Sequence, residues 1–398
     1  MKKNNLFASI LLFINIPLAI PFIVKGVLNN DKNILFLIAI IMAILSYLSI
    51  PYTTMDLVRY YQLYDDISAS YSIAINEIEG NLIVNSYLKL LIDMGLNRQF
   101  LPFMANFLSY FYLFKAIVYV LTKDGSGLKQ NELLIFTFIV LFGVAFFFGA
   151  SGIRTGVAVS LSLYGIARFD NKKYFSFSLY MFLAIMIHYM MLIVMMAVFF
   201  AVIFRNKNIL RFICIISPFF AFIGVGELIV KAVFFAFSNT LQSYGLYRLS
   251  YIDGEWGTAF YGLRNLNTFI YEKFIYVLPF YFSYIYLFLV KRKSLYRDIL
   301  YVLITMVFLF FDFRTLFMRY SYFSSLLFML VLADEFNILK VTKKLSIIFL
   351  LMCVIYSAGS VYKYRDMFFP SWAKVIYQPT PLLFLNIVND NDYIVREE

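Results

Sequence analysis

An all-α, polytopic transmembrane helix bundle is the fold class that this sequence predicts, and three observations predict it. Of 398 residues, 62% are hydrophobic and only 14% are charged, against roughly half and about a quarter in ordinary soluble domains. Several uninterrupted apolar runs reach the roughly 20 residues that a helix needs to cross a bilayer. These runs do not alternate in the short segments of an outer-membrane barrel. The expectation is about 11–13 spans or half-spans, with an extracytoplasmic amphipathic helix and loop.

Taken from the N-terminus, Lys2 and Lys3 precede an apolar run that resembles a signal peptide. Pro17 and Pro21 interrupt the run and no small-x-small cleavage site follows, so it is expected to be an uncleaved first span. Further spans are expected near 34–52, 101–122, 131–149, 152–168, 212–237, 266–290, 298–313, 315–338 and 345–362. Segments 53–100 and 238–265 then face outside, and 53–80 is acidic through Asp56, Asp65, Asp66, Glu77 and Glu79 against a single Arg59. Within it, Asn81 to Leu96 carries Lys89 and Asp93 four apart on one face, which suits an amphipathic helix at the outer surface. Residues 1–363 read as a single membrane domain and 364–398 as an extracytoplasmic tail.

The basic clips orient these spans. Arg168 to Lys173, Arg205 to Arg211, Lys291 to Arg297 and Lys340 to Lys344 are expected in the cytoplasm. The 31 residues from Tyr174 to Phe204 then have both ends inside. Two crossings need about 40 residues, so this stretch predicts a short hairpin or re-entrant pair bending near His188, the one histidine of the chain. The same scheme leaves Lys2 and Lys3 outside, against the positive-inside tendency.

Composition also excludes. The net charge of +11 lies in short clips between spans, so no nucleic-acid partner is expected. Cys214 and Cys353 lie inside apolar runs and read as buried hydrophobes. One histidine and no cysteine cluster argue against a protein-built zinc site, and neither metal nor cofactor is expected. No Gly-x-x-x-x-Gly-Lys-Ser/Thr loop occurs, and no pair of broken spans repeats across two halves. Glu227 and Lys231, four apart, are expected to pair.

Ionisable groups in hydrocarbon cost roughly 2.5–3.5 kcal/mol each on insertion scales and are functional candidates by default. Arg154 follows Gly149-Ala-Ser-Gly152 at a helix start, where Ser151 is expected to cap and where the dipole favours an anion. A guanidinium there suits a phosphate or diphosphate, although an arginine reaching for lipid headgroups would read the same way. His188 can take a proton from a sugar hydroxyl as general base, or be buried against a carbonyl. Arg314 and Arg319 sit between two late spans. Asp312 lies seven residues before Arg319 and would share its face in a continuous helix, leaving Arg314 the less obviously paired charge. Asp56, Arg59 and Tyr60 suit sugar hydroxyls or an interfacial belt. In the loop 238–265, Asp253, Glu255 and Arg264 stand among aromatic rings, as in a carbohydrate site or a packed lid.

These residues carry a family resemblance. Arg154-Thr-Gly156-Val-Ala158, Phe169-Asp-Asn-Lys172-Lys173 and Ile187-His188 before an apolar run resemble the Wzy/EpsG-type polysaccharide polymerases of O-antigen, capsule and exopolysaccharide synthesis. The likeness extends to Asp56-Leu-Val-Arg59-Tyr60-Tyr61 and Arg319-Tyr320, over most of residues 45–330, with Met55 where the family usually has a small residue or glycine. The resemblance implies a multi-pass glycosyltransferase of the bacterial inner membrane that joins undecaprenyl-diphosphate-linked repeat units at the outer face without a metal. Arg154, Arg314, Arg319 and Arg264 would hold the diphosphate and His188 would be the base. Asp56, Arg59, Tyr60, Asp253 and Glu255 would meet sugar. Lipid-linked glycans, membrane lipids and a chain-length regulator are the implied partners. Rival readings are a ligase moving the finished glycan to another acceptor, a flippase or transporter of lipid-linked sugars, and a membrane acyltransferase.

Overall fold

The computed structural model describes residues 3–70, 82–123, 125, 127–129, 131–204, 206–238 and 269–395. It is 80% helical, and among the described residues β structure is limited to an isolated bridge between Tyr52 and Ile394. Phe100–Leu121, Arg314–Glu335 and Lys340–Lys363 are each long and apolar enough to cross a membrane, and shorter apolar helices of 10–17 residues accompany them. The all-α transmembrane class expected from the sequence is the class observed. Two compact units form: residues 1–192 with 357–398, and residues 193–356.

The first unit begins with a correction. The apolar run after Lys3 is not one span but two helices, α1 (Lys3–Ile14) and α2 (Ile16–Leu28), broken at the extended residue Asn15. Pro17 fits the first turn of α2, where its missing N–H costs nothing. The two helices pack antiparallel: Phe7 stacks on Phe22 at 6.3 Å, Asn4 donates to the Phe22 carbonyl, and Asn5 donates to Asp31. Lys3 therefore lies at the same end of the unit as Asp31.

That end is basic. α3 (Ile34–Tyr47) starts there, and Asn30 just before it donates to the Lys129 carbonyl. α6 (Phe100–Leu121) ends there, with Lys123 paired to Asp170 at the end of α9 (Ile153–Asp170). Arg168, Lys172 and Lys173 follow in the same turn. α9 is buried almost throughout. Its Gly156, Ala158, Ser160, Ser162 and Gly165 keep its surface small, so α6 and α10 (Tyr174–Ile187) pack closely against it.

The opposite end gathers α4 (Asp56–Ser70), α5 (Leu82–Asp93) and the chain's last segment. The expected amphipathic helix is present in α5, whose Val84, Asn85, Leu88 and Leu91 form the buried stripe; α5 packs on α4, α6 and α10. Gln99 ties the ends of the chain together. Its amide donates to the carbonyls of Tyr47 and Asn386, and its oxygen accepts the Val388 N–H at 2.8 Å.

The second unit takes up most of α11 (Met191–Ile203) and then α12 (Lys207–Phe222) and α13 (Val225–Ser238). The expected span 212–237 is instead bent by 95° between these last two helices, at Gly224 with φ +68°. α14 (Leu278–Leu289), α15 (Leu295–Leu309), α16 (Arg314–Glu335) and α17 (Lys340–Lys363) follow. Arg297, expected in a cytoplasmic clip, is fully buried and pairs with the equally buried Glu335. Tyr286 completes the network by donating to Glu335 at 2.7 Å, with the Thr342 hydroxyl 2.8 Å away. A buried ion pair persists only when its remaining hydrogen-bonding groups are satisfied in this way. Glu227 and Lys231 pair at 2.7 Å as expected, and both cysteines are buried and free.

Candidate functional site

Arg154 sits in the first turn of α9, after a break in the chain. α7 (Glu132–Gly143) ends at the extended residue Val144, α8 (Phe146–Ala150) makes little more than one turn, and α9 begins after Gly152. Ser151 does not cap α9. Gly152 occupies the cap position with no side-chain bond, and Ser151 instead sends its backbone N–H to the Phe147 carbonyl. Aromatic rings hold the break in place. Phe147 stacks face to face on Tyr364 at 4.1 Å, while Phe146 meets Phe368 and Trp372 edge-on at 5.1 and 5.2 Å. From the other side, Gly149 presses on Asn106 of α6, so closely that a Cβ there would stand 1.7 Å from the Asn106 Oδ1. The Asn106 amide is fully buried, and neither its nitrogen nor its oxygen has a hydrogen-bond partner. Arg154 itself is half-buried at this end of the unit, which lies opposite the Lys123–Asp170 pair.

His188 terminates α10 in extended conformation, with φ −149° and ψ 105°. The helix break thus falls where the basic clips put the bend. The side chain is 4% exposed, and its ring lies against Tyr189. Its Nδ1 accepts the Met190 N–H at 3.3 Å. A neutral imidazole that accepts at Nδ1 carries its proton on Nε2. In this arrangement Nε2 can donate a hydrogen bond.

On α4, Arg59 and Asp56 pair with each other at 3.5 Å and are 63% and 52% exposed. Tyr60 is 8% exposed and turned into the core, so only the charged pair presents itself from that motif. Further along α4 lies a cluster the sequence did not single out. Arg98 pairs with Asp65 and, at 2.7 Å, with Asp390. The guanidinium also donates to the Val388 carbonyl and lies over the Tyr61 ring. These residues edge an open cleft of about 390 Å³ with Asn97, Asn389 and Asn391. Burial pushes the Asp65 carboxyl up, against the pull of Arg98. The Tyr393 hydroxyl and the Arg98 guanidinium hold the Asp390 carboxyl below its ordinary range. The sequence offered no signal for this cluster, because Asp65 and Asp390 stand far from Arg98 along the chain.

In the second unit, Arg314, read as the less obviously paired charge, has a partner in Glu272. Its Nε and Nη2 each meet a Glu272 oxygen at 2.7 Å, the fork-to-fork geometry that planar guanidinium and carboxylate favour. Glu272 and Lys273 lie in a single turn of π-helix, Tyr271–Ile275, a feature often found at functional sites. Lys273 is fully buried, its ammonium 4.2 Å from the centres of both Phe311 and Phe317. The helix that would align Asp312 with Arg319 is interrupted, since α15 ends at Leu309 and α16 starts at Arg314. Arg319 is half-buried on α16. Asp253, Glu255 and Arg264 lie outside the described residues.

Fold and site together define an integral membrane protein of apolar helices that keeps arginine and histidine at helix breaks. The family model described as EpsG family matches residues 32–374. The chain belongs to the EpsG family, and that membership implies a polysaccharide polymerase. No curated protein and no solved structure matches the chain.

Proposed function

We propose that the chain is a multi-pass enzyme of the bacterial inner membrane that extends a glycan carried on undecaprenyl diphosphate. Positive charge stays in the cytoplasm, which puts the Lys123–Asp170 end inside and the Arg98 and Arg154 end outside. The hairpin of α1 and α2 supports this orientation, because it returns Lys3 to the basic end. The observation that carries the reading is Arg154 in the first turn of α9, opposite the basic end. There the guanidinium and the helix dipole act together on a diphosphate whose charge grows as the sugar–oxygen bond breaks.

In the reaction, a hydroxyl of one lipid-linked repeat attacks the anomeric carbon of the other. The bond to the diphosphate breaks as the new glycosidic bond forms, and the proton of the hydroxyl passes to the departing diphosphate. Arg154 binds the departing diphosphate, and His188 donates from Nε2 to an oxygen at the reacting centre. The exposed Asp56–Arg59 pair reads the acceptor sugar. This assignment draws on the first unit alone. Arg314 is committed to Glu272, and no role is assigned to Arg319, Arg264, Asp253 or Glu255.

The test is the glycan ladder of a deletion strain complemented with variants. His188→Ala abolishes extension at unchanged protein level. His188→Gln, whose amide can donate near Nε2 but cannot accept a proton, retains part of the ladder. Loss of extension in His188→Gln as complete as in His188→Ala would favour a general-base role over donation. Single repeats still attached to their acceptor in the deletion strain mark a polymerase, whereas no attached glycan at all marks a ligase.

A further inference from the structure

At the basic end of the first unit a groove of about 490 Å³ opens between α1, α3 and α6. Its chemistry is two-sided. Lys32 and Lys115 line it, both exposed, and among the described residues neither enters an ion pair. Lys115 stands six residues before the end of α6, about 9 Å along the helix axis. Its ammonium lies 4.6 Å from the centre of the Phe111 ring. A lysine this far into an apolar helix, with no carboxylate, places its charge at the depth of lipid phosphates. Asn5 supplies a second, independent observation. It also lines the groove and is 2% exposed. Its amide nitrogen donates to Asp31, but its Oδ1 has no partner.

The apolar side continues away from the charges. Phe107 and Phe111 stack at 5.4 Å, one turn apart on α6, and Phe36 meets both edge-on at 5.5 and 6.0 Å. Phe36 is 45% exposed, so this strip offers an acyl chain a wall running from the groove towards the middle of α6. A ligand that satisfies all three features has a phosphate for two lysines, a hydroxyl for an orphan acceptor, and a hydrocarbon tail.

We propose that this groove binds one molecule of phosphatidylglycerol from the leaflet at the basic end. Its phosphate lies between Lys32 and Lys115, its glycerol hydroxyl donates to the Asn5 Oδ1, and one acyl chain follows the Phe36–Phe107–Phe111 strip. The site is independent of the polymerase reading, for it lies at the other end of the unit from Arg154.

The test uses the purified full chain in detergent, titrated with phosphatidylglycerol, phosphatidic acid, phosphatidylcholine or an isoprenoid phosphate and read by native mass spectrometry. Wild type retains one phosphatidylglycerol with at least tenfold preference over phosphatidylcholine. Lys32→Ala and Lys115→Met each lower that retention about tenfold. Asn5→Ala removes the preference for phosphatidylglycerol over phosphatidic acid while leaving phosphatidic acid bound. Thermal unfolding of each variant in the same detergent identifies any that has lost its fold, and Lys32→Gln then takes its place. Retention equal to wild type in both lysine variants, or tighter binding of the isoprenoid phosphate, overturns the proposal.

Discussion

Arg314 and Glu272 meet through two parallel hydrogen bonds of 2.7 Å, one from Nε and one from Nη2. Glu272 is 3% exposed and Arg314 only partly so, which makes each the condition for burying the other. Removing one partner from such a pair strands a charge and costs about 3–5 kcal/mol, whereas replacing both by apolar groups is often neutral. Glu272→Leu is therefore expected to lower the thermal unfolding temperature in detergent sharply, and Glu272→Leu with Arg314→Met to recover most of the loss. A double variant no more stable than the single would mean that the pair does not act as a unit.

Arg154→Lys keeps the charge and loses the planar fork. Chain extension is expected to fall roughly ten- to hundredfold, the worth of one charge-assisted hydrogen bond. Protein level and thermal stability should stay unchanged. The readout is glycan length in the complemented strain, and full-length product from Arg154→Lys would remove diphosphate clamping from the mechanism.

Gly149→Ala forces a methyl group onto Asn106 of α6. Overpacking of this kind costs about 1–3 kcal/mol, and here it displaces the break that presents Arg154. Stability and activity should drop together. Asn106→Ala in the same chain makes room, so the double variant is expected to regain stability. The coupling between the two positions is measured as a double-mutant cycle.

Acid should loosen the C-terminal segment through Asp390. Its carboxyl is held below the ordinary range by Tyr393 and Arg98. The stabilisation is therefore present above the unfolded value of about 3.9 and disappears as pH falls through the lower folded value. Asp65 runs the other way. Burial raises its carboxyl, a shift that favours the folded state in acid, so it cannot be the source of acid release. Proteolytic cutting of the segment should rise below about pH 4 in wild type. In Asp390→Asn that pH dependence should be absent, the segment being looser at every pH.

The parts of this molecule that were legible in its sequence are those governed by local rules. Length of apolar run gave the helices, and the cost of hydrocarbon singled out Arg154 and His188. The spacing of basic clips predicted a break at His188, which is where α10 stops. Features decided by partners distant in the chain were not legible. Arg297 looked like part of a cytoplasmic basic clip because its partner Glu335 lies 38 residues away. Arg314 looked unpaired because Glu272 lies in a π-helical turn that no periodicity announces. The hairpin at Asn15 was hidden because one extended residue inside an apolar run leaves the hydropathy untouched.

The last segment of the chain is threaded back onto the first. Thr380 donates to the Leu12 carbonyl, Asn15 to Gln378, Tyr47 to Phe384, and the Ile394 N–H reaches Pro51. During synthesis, helices α1 to α10 therefore enter the membrane long before their closing strap has left the ribosome. The end of the unit that carries Arg154 stays unsealed until that strap emerges. A chain cut before Gln378 would lack every one of these contacts and leave that end of the unit open.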